Sequence, residues 1–139
     1  MILLDTSGLF AALVRNQRAH ERALAALDAT APPFVLSPYV LAELDYLLLR
    51  ELGVDFELAF LGEVSTGAYT LASFDEAAVG EAQRIAATYR DLRLGLTDAS
   101  LVILAGRYRT NRILTLDERH FRAVKTPAGT PFVVLPADA

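Results

Sequence analysis

The sequence predicts an α/β fold in which a central, mostly parallel five-stranded sheet carries helices on both faces. Short apolar runs of strand length alternate along the chain with longer stretches of helical period. Helix punctuation by Ser, Thr, Pro and Gly falls between them. Strands separated by helices require crossover connections, so the strands run parallel and both sheet faces are covered. At 139 residues and 53% hydrophobic, the chain has enough apolar material for one core and the length of one domain.

Taken in order, Ile2–Leu4 reads as a buried strand, and Ser7–Val14 and Ala19–Ala29 read as helical. Pro32-Pro33 breaks that pattern, and Phe34–Leu36 is the second strand. Ser37 as N-cap with Pro38 at the first helical position starts a helix that runs to Leu52 and ends at Gly53. Phe56–Val64 is a further short helix and Tyr69–Leu71 the third strand. Ser73 or Asp75 can cap a helix reaching Tyr89, and Thr97 is placed to cap an apolar helix, Asp98–Tyr108. Arg112–Leu116 and Phe132–Leu135 complete the strands, giving one domain over 1–136 and a tail over 137–139.

Composition removes several chemistries. There is no cysteine, which excludes disulfides, thiolate nucleophiles and sulfur-ligated zinc and suits a reducing cytoplasm. The first charge, Asp5, follows three apolar residues after Met1, too early for a signal-peptide core. No apolar run approaches the roughly 20 residues that cross a bilayer. The net charge of −4 hides an asymmetry: residues 1–83 carry four basic and twelve acidic side chains, residues 84–125 nine basic and four acidic. Such a basic segment is either a phosphate-facing surface or arginine on solvated helix faces.

Ligands of open parallel sheets bind beyond the carboxyl ends of the strands. Asp5 directly follows the first strand and Asp117 the fourth, while Asp98 lies in the first turn of a helix, where the dipole favours negative charge. Glu43 lies about one and a half turns into the helix after the second strand, in an apolar segment where full solvation is not expected. Taken singly these are turn residues, dipole partners or a surface glutamate. Taken together, four converging carboxylates repel one another, and a hard divalent cation such as Mg²⁺ or Mn²⁺ removes that penalty. His20 and His120 stand at unrelated positions, so zinc is disfavoured, and His120 is read as a packing or surface residue. Asp5-Thr6-Ser7-Gly8 departs from the aspartic-protease Asp-Thr-Gly by an intervening serine, and Leu9 breaks an Asp-x-Ser-x-Ser metal motif.

Four segments in order carry a family resemblance: Leu4-Asp5-Thr6-Ser7-Gly8, Ser37-Pro38-x-Val40-x-x-Glu43-Leu44, Leu96-Thr97-Asp98-Ala99, and Ile113-Leu114-Thr115-Leu116-Asp117-x-x-His120-Phe121. The chain resembles PIN-domain nucleases over residues 1–136, in particular the toxin subunits of virulence-associated type II toxin–antitoxin pairs. The resemblance implies a three-layer PIN-like fold and a metal-dependent endoribonuclease that leaves 5′-phosphate and 3′-hydroxyl ends. It maps the family's acidic site to Asp5, Glu43, Asp98 and Asp117, with Asp5 and Asp98 as principal metal ligands and Glu43 and Asp117 completing the shell directly or through water, one of them orienting the nucleophile. Its small hydroxyl residues map to Thr6 or Ser7 and to Thr115. It further implies homodimers and a small antitoxin packing on the Tyr39–Phe60 helices, a segment whose apolar excess is either plain core or a groove for a partner helix. A non-catalytic RNA- or protein-binding module and a metal-dependent DNA nuclease or phosphatase are the alternatives. Arg119 and Arg122, nearest Asp117 in the basic segment, are the expected phosphate contacts.

Overall fold

The computed structural model describes residues 1–139. Its elements are β1 (Ile2–Leu4), α1 (Thr6–Leu13), α2 (His20–Asp28), β2 (Phe34–Leu36), α3 (Pro38–Leu52), α4 (Val54–Ser65), β3 (Thr70–Leu71), α5 (Glu76–Thr88), α6 (Leu96–Tyr108), β4 (Arg112–Leu114), α7 (Glu118–Ala123) and β5 (Val133–Leu135). A single 3₁₀ turn, Arg90–Leu92, joins α5 to α6. The sheet is parallel throughout, in the order β3-β2-β1-β4-β5.

That order explains where a site can form. From β1 the chain moves one way to β2 and β3, then returns past β1 to β4 and β5. With the right-handed crossovers such connections adopt, α1 to α4 cover one face and α5 to α7 the other. The connections therefore diverge between β1 and β4, opening a crevice at the carboxyl ends of those two strands. Register aligns those ends: Leu4 pairs with Leu36 and with Leu114, and Leu114 pairs with Leu135. Asp5, Ser37 and Thr115 each follow one of these aligned leucines, so they emerge at one level along one edge.

The strands are nearly continuous apolar runs because both faces are covered. Ile2, Leu3, Leu4, Val35, Leu36, Ile113 and Leu114 are fully buried. Helix α1 lies so close to β4 that a Cβ on Gly8 would come within 2.3 Å of the Leu114 carbonyl oxygen. Only glycine permits that approach, and it holds α1 against the strand that leads to Asp117.

Most boundaries match expectation within one or two residues, and the exceptions have local causes. Helix α3 begins and ends where Ser37, Pro38 and Gly53 predict, with the Ser37 hydroxyl accepting from the Tyr39 amide. Asp75 rather than Ser73 caps α5. Helix α6 begins at Leu96 behind Gly95, so Thr97 is inside the helix and does not cap it. Helix α7 is an addition to the expected elements, six residues capped by Asp117. Residues 137–139 are not a free tail: the Asp138 carboxylate accepts from the Val134 amide and pairs with Arg122. No helix is long and apolar enough to cross a membrane.

Candidate active site

Asp5 is the N-cap of α1 and only 5% exposed. Its Oδ1 accepts from the Thr6 amide at 2.8 Å, and its Oδ2 accepts from the Thr115 hydroxyl at 2.6 Å and the Ser7 hydroxyl at 3.3 Å. Thr115 Oγ1 in turn accepts from the Asp117 amide at 3.0 Å, and Ser7 Oγ accepts from the Leu116 amide at 3.0 Å. The end of β1 and the end of β4 are thus tied through two hydroxyls. With the Thr115 proton committed to Asp5, the single Ser7 proton is shared between Asp5 Oδ2 and Thr115 Oγ1, each at 3.3 Å. Burial is the main reason the Asp5 carboxyl is pushed up to about 6, and the charges of Asp98 and Asp117 add to it; the Thr115 and Thr6 hydrogen bonds act the other way.

Asp98 occupies the first turn of α6, where the helix dipole favours its charge. Burial raises its pKa, the carboxylates of Asp117 and Glu43 raise it further, and His120 opposes them. Asp117 is the N-cap of α7, its Oδ1 accepting from the His120 amide at 3.1 Å. Its other oxygen, Oδ2, lies 2.9 Å from His120 Nδ1, and Asp98 Oδ2 lies 2.9 Å from the same nitrogen. These distances suit ion pairs, yet the ring N–H direction meets neither oxygen at a hydrogen-bonding angle, leaving Nδ1 a buried polar atom without a hydrogen bond. The three ligand atoms from Asp98, Asp117 and His120 all lie within 4.8 Å of one another.

Glu43 reaches the same edge from α3. Its Oε1 accepts from the Thr6 hydroxyl at 2.9 Å and its Oε2 from the Thr97 hydroxyl at 2.6 Å. That second bond is what Thr97 does in place of capping α6. Glu43 is exposed, contrary to the burial expected from its apolar neighbours in sequence, because α3 turns that face to the crevice. Beneath it, the fully buried hydroxyls of Ser37 and Ser100 meet at 2.8 Å and fix the start of α3 against α6. With the Ser100 proton given to the Thr97 carbonyl at 2.6 Å, Ser37 is the donor.

The structure thus brings Asp5, Glu43, Asp98 and Asp117 to one edge, with Thr6 bonded to Glu43 and with Ser7 and Thr115 bonded to Asp5. It also adds His120, read from sequence as packing or surface. The signal available in the sequence was its spacing, three residues after Asp117, which on one helical turn places both on the same side. Arg122, one of the two expected phosphate contacts, is paired within the chain: its guanidinium donates to both Asp138 oxygens, at 2.8 and 2.6 Å, and to Glu118 at 3.1 Å. Arg112 begins β4, at the end of the strand away from Asp117, within 3.4 Å of the Thr30 hydroxyl. Arg119 is exposed beside His120.

A PIN-domain family model matches residues 2–126, almost the whole sheet and every acid of the site. The chain belongs to the PIN-domain family. This PIN domain is 45% identical over 135 residues to ribonuclease VapC26 of Mycobacterium tuberculosis, a match covering 97% of this chain and all of the relative. That places it among VapC-type proteins. Its fold is also that of the crystal structure of M. tuberculosis VapC20, a toxin that cleaves the sarcin–ricin loop. That structure superposes with a TM-score of 0.77 at 18% identity, over 84% of this chain and 90% of the other.

Proposed function

We propose that this PIN domain is a divalent-metal-dependent endoribonuclease and the toxin of a type II toxin–antitoxin pair. The observation that carries the metal requirement is the arrangement of Asp98 and Asp117 around the buried, unbonded Nδ1 of His120, next to a buried Asp5 that burial and neighbouring charge both push toward protonation. Clustered acids of this kind fit a hard cation better than they fit each other. The ribonuclease reading is supported by kinship with VapC26.

When bound, Mg²⁺ or Mn²⁺ supplies an acidified water and offsets charge on the phosphoryl oxygens. Asp5, Asp98 and Asp117 would hold the cation, with Thr115 and Ser7 fixing the orientation of Asp5. Glu43, exposed and steadied by Thr6 and Thr97, accepts the proton of the attacking water. The water oxygen would bond to phosphorus, the bond from phosphorus to O3′ would break, and O3′ would take up a proton from solvent, leaving 5′-phosphate and 3′-hydroxyl ends.

Regulation is proposed on the α3–α4 surface. Tyr46, Val54 and Leu58 are more than half exposed there, at 61%, 54% and 58%, close to Leu49 and Leu52. Such a stripe fits the apolar face of an antitoxin helix or a second copy of the domain.

The test is purified, antitoxin-free protein incubated with total RNA and with single-stranded DNA, with Mg²⁺ or Mn²⁺ or with EDTA. RNA cleavage that needs metal and leaves 5′-phosphates is expected. Cleavage surviving thorough chelation overturns the metal mechanism, and equal cleavage of DNA overturns the specificity for RNA.

A further inference from the structure

We infer that His120 is itself a ligand of the divalent cation, through Nδ1, and that this nitrogen gives the site a preference for Mn²⁺ over Mg²⁺. The inference rests on the metal-dependent reading above and assigns to one residue a role the acids do not imply.

The hydrogen bond on the far side of the ring comes first. His120 Nε2 lies 3.0 Å from the carbonyl oxygen of Leu92, in the 3₁₀ turn before α6. A carbonyl only accepts, so Nε2 carries a hydrogen and the neutral ring presents its lone pair at Nδ1. A backbone carbonyl on one ring nitrogen is the arrangement that orients a ligating histidine and makes its other nitrogen more basic.

The near side supplies the second step. Nδ1 faces two carboxylate oxygens, each at 2.9 Å, which a bare lone pair repels. A proton or a cation must lie among the three atoms. A proton on Nδ1 would lie along the ring axis, and that axis meets neither oxygen well enough for a hydrogen bond. A cation has no such directional limit. Neighbouring ligands of an octahedral ion with bonds near 2.1 Å lie about 3.0 Å apart, close to the separations observed.

Chain geometry makes the pairing robust. Asp117 caps α7 and binds the His120 amide, so ligand acid and imidazole arrive as one rigid turn. Asp98 comes from α6, on a separate stretch of chain. Metal preference follows from the donor set. Mg²⁺ favours oxygen ligands and sheds water reluctantly, whereas Mn²⁺, which shares its carboxylate preference but is a first-row transition ion, accepts one imidazole nitrogen more readily, so a nitrogen in the shell favours Mn²⁺ over Mg²⁺.

Pulsed EPR of the full-length protein loaded with Mn²⁺ tests this directly, since a bonded ¹⁴N modulates the electron spin echo. Wild type should show directly bonded nitrogen, changed by ¹⁵N-histidine labelling and lost in His120→Gln. His20→Gln should retain it, because His20 Nδ1 contacts the Ala11 carbonyl at 2.8 Å in another part of the fold. Mn²⁺ affinity of His120→Gln should fall at least about tenfold, the lower bound for losing even an outer-shell partner, with Mg²⁺ affinity changing less. Mn²⁺ bound without nitrogen modulation overturns the inference and leaves the metal-dependent reading standing. So does a His120→Gln variant that binds Mn²⁺ as well as or better than wild type, the outcome for a histidine that serves only as internal counter-ion. Absence of any Mn²⁺ binding to wild type overturns both. The wild-type spectrum decides even if the variant does not fold.

Discussion

Asp5 carries a pH response that follows from its burial. Its carboxyl is raised in the folded protein to about 6, against an ordinary value of 3.8, chiefly by burial. A raised folded pKa means the folded state holds the proton more tightly than the unfolded state. The associated stability is fully present below about pH 4 and is lost as pH rises through about 6. That difference corresponds to at most about 3 kcal/mol. Metal-free wild type should therefore lose stability relative to Asp5→Asn between about pH 4 and pH 7, measured by urea unfolding of both in EDTA. Asp138, held near 2 by Arg122 and the Val134 amide, acts in the opposite sense at lower pH and cancels in this comparison. A difference that is flat with pH would show that Asp5 is not desolvated. Bound cation replaces the proton, so saturating Mn²⁺ should abolish the slope and raise the melting temperature. Asp5→Asn and Asp98→Asn should each lower RNA cleavage by more than about a hundredfold, beyond the loss typical of an outer-shell partner. Their metal-free melting temperatures should be equal to wild type or higher, since one repelling charge is gone. Full activity in either variant removes it from the metal shell.

Elements were legible in proportion to how local their signals are. Helix α3 could be placed to the residue because Ser37, Pro38 and Gly53 each act within one turn of the end they mark. Helix α7 could not, since six residues are too few for an apolar period to repeat. Thr97 shows a tertiary contact overriding a local rule: its hydroxyl is used across the crevice by Glu43, and Gly95 takes the cap position. The four acids were visible as strand-end and helix-start residues, but His120 depends on the Leu92 carbonyl and on Asp98, which no short motif joins to it. Gly8 was visible only as the last letter of Asp-Thr-Ser-Gly, and the structure gives its reason. A methyl there would meet the Leu114 carbonyl oxygen at 2.3 Å and the Thr115 amide nitrogen at 2.7 Å, both backbone atoms. Gly8→Ala should therefore cost about 3 kcal/mol, the upper end for overpacking, because a strand backbone cannot step aside as a side chain can. The shift of α1 from β4 should also loosen the bond from Thr115 to Asp5 and lower cleavage in the fraction that folds. Unfolding in urea at wild-type midpoint would contradict the packing.

At the scale of the whole molecule, an acidic protein of net charge −4 must draw RNA toward a cluster of carboxylates. The nine basic residues of 84–125 divide by what already engages them. Arg122 is bound to Asp138 and Glu118, and Arg107 donates to the Ser73 carbonyl and stacks 4.9 Å over Phe74. Arg84 and Lys125 line a cleft of about 650 Å³ beside Gly106, toward the end of α6 remote from Asp98, roughly 12 Å along the helix axis. Arg93 and Arg119 are different. Arg93 follows Leu92, whose carbonyl holds His120, and Arg119 precedes His120, so both are exposed within one residue of groups that touch the site. They replace the Arg119 and Arg122 pair as the expected phosphate contacts. Each such contact contributes about 0.7 to the salt slope on single strands, so Arg93→Ala with Arg119→Ala should flatten log affinity against log salt by about 1.4. RNA binding should weaken across sequences while Mn²⁺ affinity stays unchanged, since neither arginine touches the acids. Binding is best measured in Ca²⁺, with cleavage suppressed, by anisotropy of a labelled single strand over a salt series. Arg15→Ala with Arg18→Ala, in the acidic half, should leave the slope at its wild-type value. Arg122→Ala should do the same while loosening the 136–139 segment, seen as faster amide exchange at Asp138 and Val134. A slope that falls as far in Arg122→Ala as in the Arg93/Arg119 variant would return the phosphate track to α7 and overturn this division of the charge.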